Sequence, residues 1–454
     1  MKPSRILLAL ATVALLYGGV ASAQASDDLK DEVKKLKAEI EQLQSRADEA
    51  EVKAKDAVEV GDIPGSFRIP GSDISLRLYG FVELNYVHDF KGDNSDSDYS
   101  TFAPYMPLKG TADYARKNRD YLTARTSRLG LETGTPTKWG VLSAKIEGDF
   151  NNEPRTGNSA QYGSVANLFT QQATSSYGFR VRQAYGQFGG LLAGMTWSTF
   201  MDVDNYPETV DFNGTIGNTF VRQPQLRYTY GTPDKGNFTV ALENSSAYVL
   251  DEGSGLPVAS SLSRLPDLVL RWDKGFEWGS MSVRGVTQEL RVDDGAGAKA
   301  ATRGWGAGSS ALIKTVGDDY LVLAVTYGDG IGRYLNYVEG AIFDSANKKI
   351  LMERALGVIA GYQLKTSDVL RFNFVYGMTR HLDNGYTDFI RAVGFDAGRF
   401  GINRQVQQAH VGFIYNPVRS VDLGLEGIWS FRKTLAGQSG DGLRTNLSFK
   451  YYIN

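Results

Sequence analysis

The stretch from Phe179 to Tyr230 decides how the chain is read: FRVRQAYGQF (179–188), GG (189–190), LLAGMTWSTF (191–200), MDVDNYPETVDFNGTIGNTFV (201–221) and RQPQLRYTY (222–230). Its flanks have the period of strands. Arg180 and Arg182 take one face, Val181 and Tyr185 the other; further on, Leu226, Tyr228 and Tyr230 alternate with Gln225, Arg227 and Thr229. Gly189-Gly190 suits a tight hairpin, because glycine takes positive φ without strain. Met201–Val221 has neither helical nor strand period and carries Asp202, Asp204, Glu208 and Asp211. An insertion of that length between two strands is uncommon unless it has a function. The strands are expected in the wall of a membrane barrel, with the insertion folded inside as a constriction loop, 201–221.

The same alternation begins at Ile74 and recurs to the C-terminus, as in Leu321/Leu323/Val325/Tyr327 and Leu447/Phe449/Tyr451/Ile453. About sixteen such segments are present, an even number within the bacterial range. Their connections fall into two classes. Short turns (133–137, 189–190, 231–236, 273–279, 316–318, 365–368 and 416–419) interleave with longer polar loops, the signature of periplasmic turns and outer loops. The expected fold class is all-β, a transmembrane antiparallel β-barrel over 74–454 preceded by an α-helical coiled coil. Composition agrees: 51 glycines, 24 tyrosines and 22 phenylalanines, but 13 prolines and no cysteine, with slightly negative mean hydropathy. A closed hydrogen-bonded barrel needs no disulfides. A net charge of −2 argues against nucleic acid as a partner.

The N-terminus sets the compartment. Lys2 and Arg5, the apolar run Ile6–Val20 and Ala21-Ser22-Ala23 read as a secretory signal peptide over 1–23. Next, Leu29, Val33, Leu36, Ile40, Leu43, Ala47, Ala50, Ala54 and Ala57 keep alternating spacings of four and three, a coiled-coil seam placed at 27–60 in the periplasm. It implies a homo-oligomer and offers a surface for peptidoglycan or other periplasmic contacts. Residues 61–73, rich in Gly and Pro, read as a linker.

Parity against the apolar face puts Arg128, Arg180, Arg182, Arg227, Arg271, Arg284 and Arg371 in the lumen, where guanidiniums attract anions and bind carboxylates bidentately. Lumen acids such as Glu83, Glu147, Asp149, Glu243 and Glu426 are their structural partners. Arg180, Arg182 and Arg227 flank the insertion; its acids are expected to form the opposing wall. His88, His381 and His410 are too scattered for a metal site. No cofactor is expected, and the acidic loop with Asp93, Asp96 and Asp98 reads as solvated, with Ca²⁺ as the alternative. A barrel hydrolase, or a non-conducting barrel anchored to the cell wall, are the competing readings.

The stretches GSFRIPGSDISLRLYGFVELN, TARTSRLGLETGTPT, IEGDF, FRVRQAYGQFGGLLAGMTWSTFMD and RQPQLRYTY together resemble the DcaP-like porins. That resemblance implies a trimeric channel in the outer membrane of a Gram-negative cell, with an N-terminal periplasmic coiled coil and a role in dicarboxylate uptake. The chain departs from the usual aromatic barrel terminus, ending Tyr452-Ile453-Asn454.

Overall fold

The computed structural model describes residues 23–55, 59–92, 101–151, 178–247, 249–258, 260–261, 263–394 and 402–453. Most of the expected signal peptide, the heptad position Ala57 and the acids Asp93, Asp96 and Asp98 lie outside them. The chain forms two compact units, one of residues up to Val60 with Arg68–Asp73, the other of Gly61–Phe67 with everything from Ile74 on.

In the first unit, α1 (Ala23–Lys55) is one uninterrupted helix of 33 residues, about 50 Å long at the standard rise. Val33, Leu36, Ile40 and Leu43 lie along it, each 41–61% exposed, so a single chain leaves this apolar seam to solvent. The helix stops short of the expected boundary: Glu59–Val60 is extended. A β-branched residue directly before Gly61 and Pro64 favours that conformation.

The second unit is a closed barrel of sixteen strands: β1 (Ser75–Lys91), β2 in two pieces (Arg119–Thr123 and Arg128–Thr137), β3 (Gly140–Asp149), β4 (Arg180–Phe188), β5 (Leu191–Trp197), β6 (Arg222–Thr232), β7 (Gly236–Glu243), β8 (Asp267–Phe276), β9 (Gly279–Asp293), β10 (Lys299–Lys314), β11 (Tyr320–Asp329), β12 (Arg354–Ser367), β13 (Leu370–Leu382), β14 (Asn403–Val418), β15 (Val421–Thr434) and β16 (Ser439–Ile453). Each pairs antiparallel with its chain neighbour, and β16 returns to pair with β1 from Leu443↔Lys91 to Ile453↔Gly80. No helix among the described residues is long and apolar enough to cross a membrane; the strands do so. Leu425, Leu447 and Phe449 are exposed on the outer face, whereas Glu426, Asn446 and Ser448 are buried on the inner one.

Two features differ from the alternation read in the chain. Strands continue into the short-turn motifs, with Pro136↔Val141 and Phe276↔Gly279 still in register, so only Lys138-Trp139 and Glu277-Trp278 turn. In β4 a bulge lies where the register shifts between Glu147 and Gly148 of β3. The extra residue, Arg182, breaks the period of two. Tyr185, opposite Lys145, therefore shares the lumen face with Arg180 and Arg182 rather than the lipid face with Val181.

On the long-loop side, the polar loops are not merely solvated. Leu250–Asp251 and Lys349–Met352 flank Ala341–Asp344 in a small sheet. Helix α2 (Gly385–Val393), capped at its start by Asn384, packs on it through Leu250, Ile342, Tyr386, Ile390, Ile402 and Leu435.

The closing seam carries its own lock. Arg444 of β16 and Asp89 of β1 are cross-strand partners, joined by two hydrogen bonds of 2.7 and 2.8 Å, with both side chains 4% exposed. Below them Glu83 accepts from Ser448 at 2.8 Å and pairs with Lys450 at 3.4 Å. Removing one member of a buried bidentate pair strands the other charge, at a cost of about 3–5 kcal/mol. Asp89→Ala is expected to lower the urea midpoint for loss of the compact, heat-modifiable gel band, with Asp89→Asn intermediate. A midpoint equal to wild type would show that the pair does not hold the seam.

Candidate functional site

The segment between β5 and β6, residues 198–221, folds into the barrel without regular secondary structure. Its backbone polar groups are satisfied within the loop and by side chains of the wall instead, as buried backbone requires. At its start, Glu243 of β7 accepts from Ser198 Oγ (2.8 Å) and Thr199 N–H (2.7 Å). Asp202 reaches Arg271 of β8 (3.2 Å) and Arg284 of β9 (3.8 Å), and accepts from Ser310 of β10. Glu208 takes a two-point contact from Arg371 of β13 at 2.6 and 2.8 Å, with Gln363 at 2.9 Å. Glu426 of β15 accepts from the N–H groups of Val210 and Asp211, both at 3.0 Å. Gln408 of β14 accepts from Ile216 N–H at 2.9 Å.

Glycines on the wall let the loop lie flat. A Cβ on Gly361 would sit 2.4 Å from the Pro207 side chain, and one on Gly377 2.1 Å from the Ile216 carbonyl. A larger residue at either of these two positions displaces the loop.

The opposite wall, β2 to β6, carries the positive charge. Asp149 binds Arg180 through hydrogen bonds of 2.9 and 2.8 Å, and Arg182 bridges Glu147 (3.0 Å) and Asp149 (2.8 Å). Arg128 lies 3.7 Å from Glu147. Arg222 stacks on Trp197, 4.7 Å from the ring centre, with Arg180, Arg182 and Arg128 as charge neighbours. Its Nη1 is buried without a hydrogen-bond partner among the described residues. Arg227 makes no ion pair among the described residues; its charge neighbours include Arg271 and Glu243. From the loop, Phe212 reaches this wall, its ring centre 5.5 Å from the Arg182 guanidinium and 5.9 Å from that of Arg180.

The family model described as DcaP outer membrane protein matches residues 16–453. The chain belongs to that family. The crystal structure of the outer membrane channel DcaP of Acinetobacter baumannii overlays with a TM-score of 0.69 at 27% identity, covering 87% of this chain and all of that one. The porin Omp2b of Brucella suis is 31% identical over 179 residues, 39% of this chain and 40% of that protein. Its counterpart from Brucella melitensis is 28% identical over 224 residues, 48% and 52%. The chain thus spans about half, or less, of the curated relatives it matches. OmpF of Salmonella typhi, solved with daunomycin, shares the fold alone, with a TM-score of 0.50 at 11% identity over 85% of this chain and 99% of that one. This family member is an outer-membrane porin of the Gram-negative type.

Within the porin, the seven arginines singled out by parity divide by partner. Arg271, Arg284 and Arg371 hold the loop acids Asp202 and Glu208; Arg128, Arg180 and Arg182 engage Glu147 and Asp149; Arg227 has no acid within ion-pair distance among the described residues. Asp202 and Glu208 are therefore bound to the wall, and so do not stand as free charges facing the arginines. Asp211 accepts from Thr101 N–H at 2.8 Å, while Asp204 is exposed. Arg222 is an arginine that parity reading misses, because it sits at the loop junction, out of phase with Gln223, Gln225 and Arg227. Its position directly after an acidic insertion was the available signal.

The three histidines each meet an acid: His88 with Asp120 (2.7 Å), His381 with Glu353, and His410 with Glu426 (3.2 Å). The Nε2 atoms of His381 and His410 are buried without hydrogen-bond partners among the described residues. No group of metal-ligating side chains occurs among the described residues.

Burial opposes the charge on Asp202, but Arg271 and Arg284 outweigh it and hold the carboxyl below its ordinary range. Burial likewise opposes the charge on Glu208, and Arg371 again prevails. Asp204, though solvent-accessible, is pushed up by partial desolvation and then by Asp202. Depressed folded-state values mean that docking is fully stabilised above the ordinary carboxylate pKa and weakens as pH falls through the depressed values. Single-channel recordings are expected to be quiet from pH 7 down to the ordinary carboxylate range, about pH 4, with open-channel noise growing as the pH falls further, through the depressed values. Noise that stays flat to pH 2 would show that these ion pairs do not pin the loop.

Proposed function

We propose that the porin is a passive, non-enzymatic channel for small hydrophilic solutes that prefers organic anions, dicarboxylates foremost. The observation that carries this is the charge balance opposite the loop. Arg128, Arg180, Arg182 and Arg222 stand against Glu147 and Asp149, four positive charges to two negative, an excess of two. Arg227 adds to it. A dianion can meet two guanidiniums at once, through charge-assisted bonds that each use planar donors. Partial neutralisation by Glu147 and Asp149 keeps binding weak enough for release, which conduction requires. In a narrowed lumen these charges are screened less than at the rims, where salt cuts interactions off within about 8 Å.

Planar-bilayer reversal potentials across a gradient of low salt are expected to show anion preference, reduced by high salt. Arg222→Gln and Arg227→Ala each remove one charge, leaving the Arg180–Asp149 contact in place. Each should lower the anion-to-cation permeability ratio by about fivefold, the scale of a unit charge in a partly wet site. Cation preference in the wild type, unmoved by either change, would sink the reading.

The seam of Val33, Leu36, Ile40 and Leu43 supports a second element of the proposal, that α1 is a periplasmic stalk joining the subunits of a trimer. Deleting Asp28–Val60 is then expected to leave single-channel conductance near wild type while the oligomer dissociates at a lower temperature on gels. Loss of conductance from correctly inserted protein would instead assign α1 to the pore.

A further inference from the structure

A cleft of about 630 Å³ lies on the outer face of β6–β9, lined by Tyr228, Tyr230, Phe238, Leu270, Trp272 and Val283. These residues form two adjacent rows across the strands: Tyr228, Val240, Leu270 and Gly285 in one, Tyr230, Phe238, Trp272 and Val283 in the next. The first row ends in a dent, since a Cβ on Gly285 would approach nothing nearer than 4.0 Å. The volume falls in the range of bound small molecules, and the lining is apolar and aromatic.

The cleft sits at the short-turn rim. The Trp272 indole N–H donates to the Lys235 carbonyl in the β6–β7 turn at 2.8 Å. Along β8 the outward row continues from Leu270 and Trp272 to Lys274, two residues on, and then Phe276. Lys274 thus presents an ammonium on the lipid side, 5.2 Å from the Phe276 ring centre, donating to the Asp234 carbonyl at 2.7 Å. An ammonium has three N–H donors, so two remain for an acceptor. A cation beside an apolar cleft at the membrane interface matches an amphiphile with an anionic head.

We propose that this face retains one phospholipid of the periplasmic leaflet, its hydrocarbon in the cleft over Gly285 and its phosphate at Lys274. None of the contacts belongs to the pore, so the proposal is independent of the solute preference above.

The test is native mass spectrometry of the full-length protein in mild detergent, incubated with a palmitoyl-oleoyl phosphatidylglycerol or with the diacylglycerol of the same chains. Wild type is expected to retain one phosphatidylglycerol per chain. Lys274→Ala should lower its retention about fivefold, the effect of one basic residue near an anionic headgroup, and leave diacylglycerol retention unchanged. Gly285→Leu should lower both by filling the dent. Conductance and the heat-modifiable gel shift report that each variant is folded, since neither side chain faces the lumen. Equal retention by wild type and both variants overturns the proposal. So does Val283→Cys forming a disulfide between copies in the membrane, which would make a second chain the occupant.

Discussion

Everything in this molecule rests on one constraint: backbone N–H and C=O groups in hydrocarbon have no water to bond to and must be satisfied by the chain itself. A sheet meets that demand only by closing. The pairing of β16 with β1, from Leu443 to Ile453, therefore determines the rest of the architecture. Closure brings the last strand beside the first, makes a wet interior, and forces polar side chains into that interior at every second position. The Asp89–Arg444 pair spans the seam where the barrel's first and last strands meet.

A wet, narrow interior filled with charge raises a second demand. Desolvated ions are costly unless paired, and the lumen resolves this in two ways. On one wall, arginines pair with the acids of an inserted loop, so that Arg271, Arg284 and Arg371 become structural anchors. On the other, Arg128, Arg180, Arg182 and Arg222 share two carboxylates, and the pairing is incomplete. The same residue type thus serves cohesion on one side and leaves residual field on the other. What separates the two roles is the local ratio of acids to arginines.

Much of this was legible in the chain. Period two, repeated with alternating short and long connections, identified the barrel and its strand number, and set the aperiodic insertion between the fifth and sixth strands. The lumen position of Arg180, Arg182 and Arg227 followed from parity. Parity failed at Tyr185, where a bulge adds one residue to β4, and at Arg222, where the loop rejoins the wall out of phase. It also could not reveal that residues 250–251, 341–352 and 385–393 from separate loops share an apolar core, because each contributes too few apolar residues to show a period of its own.

Local pattern determined what repeats locally: the heptad seam of α1, the inward and outward faces of the strands, and the absence of any period in 201–221. Those signals depend on neighbours two to seven positions away, which a sequence displays directly. Which acid meets which arginine was decided only by tertiary structure. Asp202 and Arg284, or Glu208 and Arg371, are brought together because closure curves the wall around the loop and wall glycines let its backbone approach. Contacts between residues 82 and 163 positions apart leave no trace in spacing, since many acids and many arginines were equally available as partners.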